Sequence, residues 1–173
     1  LLSQAEHDRV AQAILITDDA DLAARTAKAV DSALDELGAD VARESWARFG
    51  AIITVKSLDE APALIDALAP EHLALSIADP QAMFARVRHA GSVFMGYRTP
   101  EAIGDYLGGP NHTLPTGRRA RFSSGLSVAD FMKRTTFLDC SAEGFAAVGP
   151  AAARLAQAEG LPAHALSVTR RLG

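Results

Sequence analysis

The sequence predicts an α/β fold in which a mostly parallel sheet carries helices on both faces. Short apolar runs rich in β-branched residues, typical of buried strands, alternate with longer segments whose apolar residues recur at helical spacing. Parallel strands need a long crossover between them, so this alternation favours a parallel sheet. With 173 residues, 49% of them hydrophobic, the chain is long enough to bury one domain's core.

Each predicted element has a local sequence signal. The predicted strands are residues 11–17, 51–55, 72–77 and 92–95, with 135–139 a candidate last strand. The predicted helices run over about 19–37, 57–68, 79–89 and 141–159. Gly38 should end the first helix, Ser57 and Glu60 form a capping box for the second, and Pro80 suits the first turn of the third.

Charge, cysteine content and hydropathy exclude several classes of protein. The net charge of −4 argues against nucleic-acid binding, and the basic run from Arg118 to Arg121 is interpreted as a solvated loop. The single cysteine, Cys140, excludes an internal disulfide framework and favours a cytoplasmic location. The chain contains neither a signal-peptide pattern nor an apolar run near the roughly 18 residues of a membrane span. Since it begins with Leu1 in a helical turn, we expect the later part of a longer polypeptide.

The chemistry is concentrated in histidine-containing motifs. Four of the five histidines have polar neighbours suited to metal binding or proton transfer. Residues 96–124 form a stretch of glycine, proline and polar residues that is too long for a plain connector and is therefore expected to be functional.

Each motif alone is a weak signal. Gln4 and His7, three residues apart, would share one face of a helix and could both reach one cation, although an exposed polar helix face is the commoner explanation of such a pair. Glu71 and His72 offer a carboxylate and an imidazole at a strand start, where an irregular backbone could aim both into one site. A phosphate-binding role for the glycines around Asp105 is discounted, because no P-loop lysine or strand–loop–helix context follows.

Together, the motifs resemble one family. The segment from Gly109 to Thr135, which opens Gly-Pro-Asn-His-Thr-Leu-Pro-Thr, closely resembles the signature segment of histidinol dehydrogenases. The sequences Pro70-Glu71-His72-Leu73 and Gln4-Ala5-Glu6-His7 also match that family in order and separation. The resemblance covers essentially the whole chain and corresponds to the C-terminal part of the family's enzymes.

The resemblance implies an incomplete Rossmann-like, aldehyde-dehydrogenase-like α/β domain at residues 1–140 and a helical tail at 141–173. It implies a catalytic pair, Glu71 and His72, and a zinc site formed by Gln4, His7, Asp105 and His164. The implied substrate contacts are Gln4, His7, His72, Asp105, His112, Glu159 and His164. In that family the tail reaches into the partner's site of a homodimer.

The implied reaction is the zinc-dependent oxidation of L-histidinol to L-histidine through histidinaldehyde, with NAD as the oxidant. The resemblance implies that the NAD-binding domain lies upstream, and no GxGxxG fingerprint occurs in this sequence, so we expect the chain to be inactive alone. The alternative is a non-catalytic ligand-binding or interaction module that keeps this fold without the NAD-binding domain.

Overall fold

The computed structural model describes residues 1–172 and confirms the α/β class with a helical C-terminal part. In chain order the elements are α1 (Leu2–Ala5), β1 (Ile14–Thr17), α2 (Ala20–Leu37), α3 (Asp40–Phe49), β2 (Ala51–Thr54), α4 (Ala61–Leu68), β3 (His72–Leu75), α5 (Pro80–Phe84), β4 (Ser92–Met95), α6 (Glu101–Tyr106), α7 (Ala142–Ala158) and α8 (Pro162–Thr169). The chain divides into two compact units, Leu1–Asp130 and Phe131–Gly173. The division predicted from the sequence was at Cys140.

The four strands pair in parallel, as predicted, and within residues 1–172 they form two two-stranded sheets. β1 pairs with β2, and Ile14 lies opposite Ala51. β3 pairs with β4, and His72 lies opposite Ser92. In each pair the connection contains at least one helix, which is the crossover that a parallel pair requires.

The helix ends follow local capping chemistry. The Asp19 carboxylate accepts the Leu22 N–H at 2.9 Å at the start of α2, and Gly38 ends that helix with a φ of 59°, which glycine adopts without a Cβ penalty. Asp79 caps α5 through the Ala82 N–H at 3.0 Å. The Ser141 hydroxyl caps α7 in the same way through the Gly144 N–H at 3.0 Å.

Several predicted boundaries were wrong. The Ser57 hydroxyl accepts from the Asp59 N–H and not from Glu60, because the helix opens with a 3₁₀ turn, Leu58–Glu60. The helix predicted to reach residue 89 ends at Phe84, and the Asp66 carboxylate then accepts the N–H groups of Arg88 and His89 in the connection to β4.

The predicted strand at 135–139 does not form. Phe137 and Leu138 are 92% and 95% exposed, so no partner strand or core in the described chain rewards an extended conformation there. In the opposite sense, the stretch interpreted as irregular contains helix α6 and a 3₁₀ turn, Arg119–Arg121, and helix α3 was not predicted.

Gln4 and His7, which were interpreted as sharing one helix face, do not lie on one helix. α1 ends at Ala5, so Gln4 lies on it and His7 does not; the His7 N–H still donates to the Gln4 carbonyl at 3.3 Å. The Asp8 carboxylate accepts the Val10 N–H and turns the chain away from the helix. A fully buried Ser45 on α3 donates its hydroxyl proton to the Ala5 carbonyl at 2.6 Å and so ties α1 to α3.

Two apolar clusters hold the first unit together. One joins α1, α2 and α3 through the buried residues Ala5, Ala13, Val30, Leu34 and Ala42. The other joins α4, α5 and β3 through Ala61, Ile65, Leu75 and Met83. None of the helices within residues 1–172 combines the length and the hydropathy needed to cross a bilayer.

Candidate active site

Three acid–base side chains meet where β3 begins and α6 begins. His72 is the first residue of β3, and its Nδ1 lies 3.3 Å from Oε1 of Glu101, the first residue of α6. The two side chains are only 13% and 11% exposed. Asp105 joins them, with one donor atom from each of the three residues within 4.8 Å of the others.

Helix geometry places both carboxylates on one side. Glu101 and Asp105 are four residues apart on α6, so their side chains lie one turn apart on the same face. Upstream of α6, the Thr99 hydroxyl donates to the Met95 carbonyl at 2.8 Å and fixes the turn that leads out of β4. The helix therefore starts at a set distance from the end of the strand.

Phe94 on β4 packs against both His72 and helix α6. Its ring centroid lies 5.9 Å from that of His72, with the planes tilted by 40°. A Cβ at Gly104 would lie 2.5 Å from the nearest Phe94 ring carbon, so α6 reaches this position only because residue 104 has no side chain. Phe94 is 6% exposed, and it thus aligns the imidazole and the helix together.

Gly104 is consequently a sensitive position. Alanine normally stabilises a helix by up to about 1 kcal/mol relative to glycine, but overpacking against a buried ring costs about 1–3 kcal/mol. We expect Gly104→Ala to displace α6, lower the urea midpoint and weaken divalent-cation binding at Asp105. Ala102→Ser, at an exposed position of the same helix, is the control. Unchanged stability and cation affinity in Gly104→Ala would contradict this account of the contact.

A cavity of about 150 Å³ adjoins the cluster. It is lined by β4, by α6 and by the loop that follows, including Asp105, Asn111 and His112. His112 is more exposed, and its Nδ1 lies 3.8 Å from Asp105 Oδ1. The long loop thus brings His112 to Asp105, the carboxylate that also lies near His72. Asp105 and His112 both line the cavity, so a small polar molecule there could contact both of them.

The electrostatics of the cluster centre on Glu101. Burial raises the pKa of its carboxyl above the usual 4.5, and the negative charge of Asp105 raises it further. The imidazoles of His72 and His7 and the amino group of Leu1 oppose this shift. His7 and the N-terminus therefore lie within electrostatic reach of Glu101.

This shift predicts a pH-dependent difference in stability. Because the folded state raises the pKa of Glu101, its contribution to stability is fully present below about pH 4.5 and is lost as the pH rises through the folded value. Glu101→Gln, which stays neutral, should therefore be more stable than the parent at neutral pH and equal to it in acid. Urea unfolding of the metal-free protein across this range is the measurement. A variant less stable at every pH would contradict the prediction.

Backbone hydrogen bonds fix the main chain of Glu71, the residue before His72. The Glu71 carbonyl accepts the Ser92 N–H at 2.8 Å, and the Pro70 carbonyl accepts the Gly91 N–H at 2.9 Å. A Cβ at Gly91 would come within 2.6 Å of the Glu71 carbonyl oxygen. The close approach of these two segments fixes the chain just before His72, while the Glu71 side chain stays partly exposed.

Gln4 presents a buried amide. Its Nε2 has no hydrogen-bond partner within residues 1–172, which is costly for a buried polar atom unless a further group or an ion engages the amide. The same holds for His72 Nε2 and Glu101 Oε1. Three buried polar atoms, on Gln4, His72 and Glu101, thus lack a hydrogen-bond partner among the described residues, as expected of side chains that bind an ion or a polar ligand.

The donor types fit a divalent cation. Imidazole nitrogen and carboxylate or amide oxygen are ligands that zinc accepts in proteins. Asp105, flanked by His72 and His112, supplies negative charge that such an ion needs. The residues of the first unit thus fit a metal centre but do not complete a tetrahedral set of predicted ligands.

The remaining predicted site residues lie in the second unit. Glu159 is the C-cap of α7, and His164 lies on α8 with an exposed side chain. The Ser167 hydroxyl donates to the His164 carbonyl at 2.7 Å. Of the eight residues predicted from the sequence, the structure brings His72, Asp105 and His112 together, places Glu71 beside them, and puts Gln4 and His7 at the N-terminal segment.

Glu101 was not predicted as a site residue. Its one sequence signal is its position four residues before Asp105 in a segment, Glu-Ala-Ile-Gly-Asp, that follows Thr99-Pro100. Proline before an acidic first turn is a helix-start signal, and recognising it would have placed the two carboxylates on one face.

Comparisons with known proteins agree with the resemblance seen in the sequence. A family model described as histidinol dehydrogenase matches residues 1–172. The chain is 67% identical over 173 residues to the histidinol dehydrogenase of Zymomonas mobilis subsp. mobilis, covering 99% of this chain and 40% of that protein. The corresponding enzyme of Rhodospirillum rubrum is 61% identical over 174 residues, with the same coverage.

A solved structure shows the same fold. The crystal structure of histidinol dehydrogenase from Elizabethkingia anophelis superposes with a TM-score of 0.85 at 37% identity, covering 99% of this chain and 40% of that one. The chain thus spans about 40% of the length of the relatives it matches. With a family match along residues 1–172 and this structural likeness, the chain belongs to the histidinol dehydrogenase family.

Proposed function

We propose that this chain supplies most of the metal and substrate chemistry for the NAD-linked oxidation of L-histidinol to L-histidine through histidinaldehyde. One observation carries the proposal: His72 lies against two carboxylates at the edge of a cavity, in a member of a family named for this reaction. Since the chain spans about 40% of its relatives' length, we assign NAD binding to the part of that length it does not cover.

Gln4, His7 and Asp105 would hold a zinc ion, and His164 of the partner subunit would complete its shell. The buried, unpartnered amide of Gln4 and the position of Asp105 beside His72 support this assignment. When bound, zinc would orient the substrate and polarise its oxygen, since zinc itself has no redox chemistry.

His72 acts as the general base of the first oxidation. Its Nε2 takes the proton of the substrate hydroxyl; NAD, when bound, would accept the carbon-bound hydrogen as hydride. The absence of a partner for Nε2 within residues 1–172 and the proximity of the His72 side chain to Asp105, which lines the cavity, support this role.

Glu71 acts in the second oxidation. It removes a proton from the water that adds to the aldehyde, and His72 assists; a second NAD, when bound, would accept the hydride from the hydrated aldehyde. Going from alcohol to acid removes four electrons, so two molecules of NAD are consumed. His112, which lines the cavity beside Asp105, contacts the substrate, and Glu159 of the partner subunit contributes a further contact.

A homodimer with shared sites accounts for the separate C-terminal unit. The second unit carries Glu159 and His164 on its own pair of helices, α7 and α8. Exchange of this tail between subunits would supply both side chains to the partner's zinc and substrate. A cytoplasmic setting agrees with the single free cysteine, Cys140.

The experiment is a metal and substrate titration on the full-length protein that carries this chain. We expect about one zinc ion per site, histidinol binding that depends on that ion, and two NADH formed per histidinol consumed. The chain without the remaining length is expected to form no NADH. Histidinol binding that is unaffected by chelation, or a full-length protein that does not reduce NAD, would refute the proposal.

A further inference from the structure

We infer that Glu101 is the positioning residue of this site: its carboxylate receives the Nδ1–H of His72 and thereby leaves Nε2 free to accept the substrate proton. The inference rests on the proposed function, which assigns His72 as the base. It adds a residue outside the set of site residues derived from the sequence motifs.

The first support is the identity of the atoms that meet. Nδ1 of His72 faces Oε1 of Glu101 at 3.3 Å, whereas Nε2 has no partner within residues 1–172. In a neutral imidazole one nitrogen carries the proton and the other accepts. A carboxylate beside Nδ1 favours the proton there and makes Nε2 the basic nitrogen.

The second support is burial. Glu101 and His72 are 11% and 13% exposed, so water competes little for their interaction. A buried ionised carboxylate needs a donor, and Nδ1 of His72 lies 3.3 Å from Oε1. The packing of Phe94 on His72 and of Gly104 on Phe94 restricts how far either group can move away.

Nδ1 of His72 and Oε1 of Glu101 are close, but their geometry is not that of a hydrogen bond, and Oε1 has no hydrogen-bond partner within residues 1–172. Catalytic hydrogen bonds are often poorly aligned without substrate and tighten when the complex forms.

One rival role for Glu101 comes from the same geometry. The donor atoms of His72, Glu101 and Asp105 lie within 4.8 Å of one another, a spacing that a metal ion could span. If Glu101 were a metal ligand, its removal would release zinc. If it positions His72, its removal would slow proton transfer and leave zinc bound. Measuring zinc therefore separates the two roles.

The test uses two substitutions in the full-length enzyme. Glu101→Gln keeps an oxygen that can accept from Nδ1 but removes the charge, and Glu101→Leu removes the acceptor as well. Glu36→Gln, on the exposed surface of α2, is the matched control. The readouts are kcat and KM for histidinol, zinc content, and the imidazole tautomer of His72 from ¹⁵N chemical shifts.

We expect Glu101→Gln to lower kcat by about 10- to 100-fold and Glu101→Leu by about 100-fold or more, with KM and zinc content unchanged. The parent should show a protonated Nδ1, and Glu101→Leu a mixture of tautomers. Loss of zinc, or an unchanged kcat and tautomer in Glu101→Leu, would overturn the inference. A parent that does not oxidise histidinol would instead refute the proposed function, and the tautomer measurement would still decide the Glu101–His72 pairing.

Discussion

His72→Asn is expected to lower kcat for histidinol oxidation by about 10²- to 10⁴-fold, the range that a general base contributes, with zinc still bound. The Asn amide can place a nitrogen near the position of Nδ1 and preserve the contact to Glu101, but it has no counterpart of Nε2. Loss of activity in a variant that keeps its fold and its zinc then reports the loss of proton transfer. The measurements are steady-state kinetics and metal analysis on the full-length enzyme.

His89→Asn is the control for this substitution. His89 is the fifth histidine of the chain, and its backbone N–H is bound by Asp66, away from the motifs that carry the proposed chemistry. It should retain the parent's kcat. If His72→Asn also kept its kcat, or lost zinc in parallel with activity, His72 would not be the base.

His164→Asn should weaken zinc binding by about 100-fold or more, because a direct ligand is worth at least as much as the groups that orient one. Competition with a chromogenic chelator measures the affinity. The exposed position of His164 on α8 predicts that the substitution leaves the fold intact, so circular dichroism and the unfolding midpoint of the metal-free protein should be unchanged.

Mixed dimers extend this test to the shared site. If the tail serves the partner subunit, a heterodimer of His72→Asn and His164→Asn chains contains one site with both native histidines and should regain up to half the parent's activity. Activity no higher than that of the two parent mutants would argue that each subunit completes its own site. Unchanged zinc affinity in His164→Asn would remove this residue from the metal shell.

Local chemistry made much of the fold predictable. The capping of α2 by Asp19 and its end at Gly38 follow from side-chain and backbone properties of those residues alone. Helix α6 was missed because the many glycines and prolines of residues 96–124 are typical of loops and obscured the helix-start signal of Pro100 and Glu101. Its position against β4 depends on the close approach of Gly104 to Phe94, a tertiary contact that no local pattern contains.

The strand predicted at 135–139 failed for the opposite reason. Its apolar residues match a strand pattern, but Phe137 and Leu138 are almost fully exposed, and strand propensity describes a fit to a half-buried surface. An apolar pattern in the sequence does not show whether another element of the fold buries those side chains.

The site was predictable where a motif carries it. His72, Asp105 and His112 lie in recognisable segments, and the structure brings the three into one region. Glu101 lies outside those segments, and its relation to His72 exists only because a strand and a helix begin side by side. Pairings of that kind depend on the packing of separate elements.

The hydrogen bond from the Ser45 hydroxyl to the Ala5 carbonyl couples α1, which carries the proposed zinc ligand Gln4, to α3. Trp46, the single tryptophan of this chain, is the next residue and packs partly buried in the same cluster. A metal ion bound by Gln4 would stabilise α1 and, through this hydrogen bond, its contact with α3. Binding of the ion should therefore raise the temperature at which the two helices separate. The fluorescence of Trp46 should therefore change when a metal ion binds, although Trp46 is not one of the proposed site residues.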